Sequence, residues 1–529
     1  MSTSNTEQLI ELISSLTKAE KRYFKLYSTR NSNSAEDLKF ILLFDFIEKT
    51  DNYSDDLLLK RVPEIKKSQV SNLKAHLHKQ LLSSLRLQHV QSIPVLEIRE
   101  IIDFAQICYQ KGLYQQSLRL LEKAKVAADR IQSSILKLEI IEVEKTIFAQ
   151  HPAIKMEEFA NNLTVESNQL NKEIGAQISY SNLSIQLYSL YLKIGVVRDE
   201  KEAQFVNDFF YSRLPHYPSE KLNFEQRLHL YNAYVYFTSI TQNFVSSYRY
   251  ARAWVNLFDE YPEAKREHLE MYLKGLYHLQ NSLFQLRHFK RLEKVVEQIE
   301  ATKEAIRENE NLSTTQQFYL IAAKINWYFL QGKFTDGANL SHEIDTFIEK
   351  SGNRLDLHRT VVLNYKLGCL YFGSGNNKMA IKYLTKVIQA KENKLREDIQ
   401  CFARILNLIA HFESDPTSHL LEYQIKSVYR FLSSMGNLQG VQKEILAFLR
   451  LLPFENDVTL TRGFRVLLNK LTKLAQTNYE KRPFLYLDII SWLECKINKR
   501  SVQEVIQEKF LLEIETGEKK YFPHSVDLH

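Results

Sequence analysis

The side chains of this 529-residue chain that could do chemistry are scattered, not gathered. His76 and His78 are a close pair of metal-ligand type. Two positions along a helix rotate a side chain by about 200°, so they face different ways and a shared ion is not expected. His342-Glu343, and His411 with Glu413, stand alone. Cys108, Cys369, Cys401 and Cys495 are far apart and form no CxxC, which reads as buried thiols in a reducing compartment. GSGNNK at Gly373–Lys378 has glycines and a lysine but lacks the GxxxxGK[ST] spacing that cradles phosphates. Neither HExxH nor GxSxG occurs, and the many carboxylates form no recognisable acid/base pair. The expectation is a protein that is not an enzyme, with no cofactor and no metal.

The cations are better clustered. Residues 17–30 carry Lys18, Lys21, Arg22, Lys25 and Arg30 against Glu20. Residues 60–86 carry Lys60, Arg61, Lys66, Lys67, Lys74, Lys79 and Arg86 against Glu64. Two basic helices in a short bundle can follow phosphates. In a helix–turn–helix arrangement Ser68–Leu82 would enter the groove, with Ser68, Gln69, Asn72 and Lys74 pointing outward. The candidate nucleic-acid contacts are therefore Lys21, Arg22, Lys66, Lys67, Gln69, Asn72 and Lys74. The same charges also suit plain solvated helix faces, and Phe24, Leu26, Leu42 and Phe46 read as ordinary core. Over the whole chain, 70 Lys and Arg against 63 Asp and Glu leave +7, a mild excess that permits acidic partners without demanding nucleic acid. DNA binding, as a transcriptional regulator whose remaining residues sense a ligand, is the second reading.

The elements that must carry these residues are helices. Apolar residues recur at i, i+3, i+4 and i+7 almost everywhere, and the chain has only 14 Gly and 10 Pro. Helices are predicted near Thr6–Ser15, Lys18–Thr29, Ala35–Glu48, Asp55–Val62 and Ser68–His89, with Thr17 and Glu20 as a capping box. ENENLSTTQ at Glu308–Gln316 reads as a loop capped by Ser313 or Thr314. Three regions follow: a basic-faced helical bundle at 1–92, a repeat array at 93–455, and capping helices with a polar tail at 456–529. MSTSNTEQLIEL has neither a basic n-region nor an apolar h-region, and no apolar run approaches the roughly 18 residues a membrane helix needs. A cytoplasmic protein with no membrane contact is expected.

The array shows itself at Asn364–Val387, NYKLGCLYFGSGNNKMAIKYLTKV. Leu367, Gly368, Tyr371, Gly375, Ala380, Leu384 and Val387 are spaced so that two short helices pack face to face. Earlier in the chain the same slots are filled by Ala105, Cys108, Gly112, Ser117, Leu121 and Ala124, and by Ile325, Tyr328, Gly332, Gly337, Ser341 and Ile344. Gln242–Trp254 and Arg287–Ile299 look like degenerate copies. This pattern resembles the tetratricopeptide repeat (TPR) family, a helix–turn–helix unit of about 34 residues. It departs from it in lacking the early Trp and the closing Pro.

The resemblance implies an all-α fold: a right-handed superhelical array of antiparallel helix pairs, a TPR-like α-solenoid, behind the N-terminal bundle. It also implies a scaffold or adaptor that holds a partner peptide or helix in a concave groove lined by first helices. By register the groove residues are Arg99, Gln106, Tyr109, Tyr319, Asn326, Phe329, Tyr365 and Phe372, with Ile102 and Cys369 beside them. The basic-and-amide set with which some members grip a carboxyl terminus is not evident in the sequence.

Overall fold

The computed structural model describes residues 5–31, 35–50, 52–151, 156–215, 222–307, 309–390, 396–434, 440–451, 457–477, 479–480 and 489–516. The tail at 517–529 and Pro152, Pro218, Pro453 and Pro483 lie outside them. Among the described residues every regular element is a helix, and none is long and apolar enough to cross a membrane. The chain divides into two compact units, Met1–Asn171 and Lys172–His529.

The first unit opens with α1 (Asn5–Ser15), α2 (Lys18–Asn31), α3 (Ala35–Glu48), α4 (Asp55–Arg61) and α5 (Val70–His89). Their apolar faces close on Leu9, Ile13, Phe24, Phe44, Leu77 and Leu81, all with at most 1% of their surface exposed. The Thr17 N–H donates to Glu20 (2.7 Å) and the Glu20 N–H donates back to Thr17 Oγ1 (3.2 Å), which is the capping box that starts α2. Next come α6 (Pro94–Gln110), α7 (Tyr114–Arg130), α8 (Ser134–Gln150) and α9 (Met156–Ile194), the last of which runs across the division between units. Small residues let α6 and α7 approach: Ser117 is fully buried and its hydroxyl donates to the Ala105 carbonyl at 2.7 Å.

The second unit continues with α10 (Glu200–Arg213) and then helix pairs: α11 (Phe224–Ile240) with α12 (Phe244–Glu260), and, after α13 (Pro262–Glu267), α14 (Leu269–Gln285) with α15 (Phe289–Ala301). Next, α16 (Glu310–Gln331) pairs with a second helix broken into α17 (Phe334–Ala338) and α18 (Ser341–Ser351). They are followed by α19 (Leu357–Gly373) with α20 (Asn377–Ile388) and α21 (Glu397–Ser414) with α22 (Leu420–Ser434). The unit ends in α23 (Gly440–Leu451), α24 (Asp457–Leu474), α25 (Ile489–Asn498) and α26 (Val502–Thr516). One apolar core runs through these pairs, from Phe224 to Ile506. At Gly368 the pairing of α19 with α20 is close enough that a Cβ would sit 2.7 Å from Leu384.

One turn closes most of the pairs. At Gln242, Arg287, Gly332 and Gly375 a single residue takes positive φ, and the next N–H reaches five residues back: Asn243 to Thr238, His288 to Leu283, Lys333 to Tyr328, Asn376 to Tyr371. This is the Schellman closure, in which a left-handed residue lets the last carbonyls of a helix find donors. Gly112 and Gln132 close helices of the first unit in the same way. The four turns of the second unit recur at intervals of about 45 residues, longer than the family's 34.

One expectation needs correcting. The loop read at Glu308–Gln316 is shorter, because α16 already begins at Glu310. Asn309 is its cap, its side chain accepting the Leu312 N–H at 3.0 Å, and Thr314 lies within the helix, bonded to the Glu310 carbonyl.

Candidate functional site

Within the second unit, first helices converge on one cavity of about 240 Å³. Tyr188 and Tyr191 come from α9, Tyr236 and Ser239 from α11, and Glu270, Lys274, Tyr277, His278, Asn281 and Gln285 from α14. Phe318 and Tyr319 come from α16, His358, Arg359, Tyr365 and Lys366 from α19, and Arg396 precedes α21. Helical spacing puts Glu270, Lys274 and His278 on one stripe of α14, one turn apart, facing inward together.

The wall is aromatic and basic. Tyr277 stacks on Tyr319 with centroids 4.4 Å apart, and Tyr236 contacts Tyr188 (5.2 Å), Tyr191 (5.9 Å) and His278 (5.1 Å). Burial pushes His278 and His358 down to about 3, so both rings are neutral at pH 7. Burial lowers Lys274 to about 8 and Lys366 to about 7, and raises the Tyr319 phenol to about 12. The Lys274 ammonium lies over the rings of Tyr188 (5.6 Å) and Tyr236 (5.3 Å). Arg396 pairs with Asp398 and also donates to the Tyr191 hydroxyl at 3.1 Å. Arg359 pairs with Asp356 at 3.3 Å.

Behind this wall a buried polar chain ties three helices together. Lys366 on α19 donates to Asn326 Oδ1 on α16, and Asn326 Nδ2 donates to Gln280 on α14 at 2.8 Å. Amide and ammonium groups so far from water need such partners.

Of the groove residues expected from register, Tyr319 and Tyr365 line the cavity. Asn326 is the middle of the buried chain, with no exposed surface. Phe329 and Phe372 are buried in the core. Arg99, Gln106 and Tyr109 belong to α6 in the first unit, where Arg99 and Gln106 are exposed and Tyr109 packs on Tyr114 (5.9 Å). Register did not point to Lys274, Arg359, Arg396 or the tyrosines of α9 and α11.

In the basic bundle, Lys21 pairs with Glu48 (3.4 Å) and Lys25 with Asp45 (2.8 Å). Lys74, expected to point outward, is buried: it bonds Asp55 (2.6 Å) and Thr6 (3.0 Å) and lies over Tyr53. Gln69 is half-buried and accepts from Lys39 (3.3 Å), while Arg22, Lys66, Lys67 and Asn72 are exposed.

Residues 362–394, spanning most of α19 and all of α20, match the sequence model of the family described as Tetratricopeptide repeat. No curated protein and no solved structure matches the chain. With that matched repeat, and the same closing turn recurring from Gln242 to Gly375, the chain is tetratricopeptide-repeat-like, its regular elements all helices among the described residues.

Proposed function

We propose that this protein is a helical-repeat scaffold whose second unit holds a segment of a partner protein along its first helices, with the tyrosine- and lysine-walled cavity as the deepest point of the seat. Tetratricopeptide repeats generally serve protein–protein contact. The observation that carries the reading is convergence: α9, α11, α14, α16 and α19 each present side chains to one cavity. Tyrosines suit such a surface, since each offers a large rigid face at low entropic cost and a hydroxyl at its tip. At about 240 Å³ the cavity admits a side chain rather than a helix. A cytoplasmic setting agrees with the four free cysteines.

The test is affinity recovery of partners by the full chain, beside a Tyr319→Ala, Tyr365→Ala variant and a Tyr423→Ala control whose ring is 73% exposed. Loss of the same partners from the first variant alone, at unchanged helicity, supports the reading. Equal recovery by all three overturns it.

Exposed Arg22, Lys66, Lys67 and Asn72 favour the second reading, that the bundle at 1–92 contacts duplex DNA. The pairing of Lys21, Lys25 and Lys74 with carboxylates weighs against it. Fluorescence anisotropy of the full chain with a DNA duplex decides: binding that falls steeply with salt supports this reading, and none at low salt removes it.

A further inference from the structure

The wall of the cavity has a cation with no ion pair. Arg359 and Arg396 are matched to Asp356 and Asp398, and Lys366 is held by Asn326. Lys274 has no ion pair and no hydrogen bond among the described residues; its ammonium rests only on two tyrosine rings. Glu270, one turn back on α14, is the one carboxylate among the described lining residues; it attracts the Lys274 ammonium from a distance but forms no ion pair with it. The neutral histidines bring no negative charge. A charge on a half-buried wall is costly until an opposite charge meets it closely, and the attraction is stronger there than in bulk solvent.

We propose, building on the scaffold reading above, that the cavity seats an oxyanion, a phosphate or carboxylate carried on an aromatic or apolar body, against Lys274. The tyrosine rings would take the body, and their hydroxyls and the histidine N–H groups can donate to the remaining oxygens. The volume sets the size: about 240 Å³ holds one such group with roughly a ring's worth of carbon, not a nucleic-acid strand. The shared chemistry has two sources, a free small molecule or an anionic side chain of the bound segment.

The test uses calorimetric titration of the full chain with inorganic phosphate, phenyl phosphate and benzyl alcohol, repeated on Lys274→Gln and Lys274→Arg. Phenyl phosphate is expected to bind at one site more tightly than phosphate, with benzyl alcohol weakest. K274Q is expected to lose at least tenfold in affinity and K274R to keep most of it. A short peptide with an internal phosphotyrosine separates the sources: binding equal to phenyl phosphate marks a side chain, and binding of phenyl phosphate alone marks a small molecule. Undiminished phenyl phosphate binding by K274Q, or no binding to the parent chain, overturns the assignment. If that happens while partner recovery still depends on Tyr319 and Tyr365, the anion falls and the scaffold stands.

Discussion

Arg396 holds Asp398 through two parallel hydrogen bonds of 2.8 Å, both side chains almost fully buried, on a backbone that takes left-handed φ of 53° at the arginine. Gly195, just past the end of α9, lies against the same carboxylate with φ of 76°. The Arg396 N–H donates to the Leu192 carbonyl at 2.8 Å, so the pair also fastens α21 to the end of α9.

Removing the carboxylate with Asp398→Ala leaves a buried guanidinium without its counter-charge. That is expected to cost about 3–5 kcal/mol, read from urea unfolding followed by helicity. Gly195→Ala drives a Cβ into the carboxylate and adds about 1–2 kcal/mol of backbone strain. It should destabilise the second unit in the same direction.

Lys366 gives an alkaline signature. Its folded pKa of about 7 lies below the ordinary 10.5, so between those values the unfolded chain binds the extra proton. Stability from this group therefore rises with pH from about 7 to 10.5. Lys366→Met should flatten that rise in denaturation midpoints measured across the window, relative to the parent chain.

The histidines act at the other end of the scale. His278 and His358 stay neutral down to about 3, while unfolded histidine takes up a proton near 6.5. Each therefore lowers stability as pH falls from 6.5 toward 3. His278→Gln should shift the acid unfolding midpoint to lower pH; an unchanged midpoint would show that the ring is not held neutral.

The last helix is fastened to distant turns. Arg287 pairs with Glu513 at 3.2 Å, Phe289 meets Phe510 edge-on at 5.2 Å, and Gln507 donates to the Gly332 carbonyl at 3.2 Å. Phe510→Ala is expected to cost about 1–2 kcal/mol locally, since the ring is only half-buried. Limited proteolysis should then cut within 502–516 sooner than in the parent chain, while the core at α14–α19 stays protected.

The sequence made the repeat legible where glycine supplies the left-handed residue, at Gly112, Gly332 and Gly375. Gln242 and Arg287 do the same work and are hard to see, because each keeps a side chain that is used. The Gln242 amide donates to the Val197 carbonyl at 3.0 Å, and Arg287 reaches Glu513. Tyr319 and Tyr365 were found by register because the inward stripe of one pair can be read from that pair. Phe329 and Phe372 are core: Phe329 meets Phe284 of the preceding pair, a neighbour that no single hairpin discloses. Lys274 was missed for want of a turn signal before α15, and Lys74 misassigned because its partners, Thr6 and Asp55, are remote in sequence.

The clasp between Arg287 and Glu513 spans 226 positions. A ribosome adding about 5–20 residues per second needs roughly 10–45 s to travel that far. Through this interval Phe289, and for its later part the Gly332 turn, are made without the helix that will cover them, so the nascent chain must tolerate an open flank, or be shielded by a chaperone, until α26 leaves the exit tunnel.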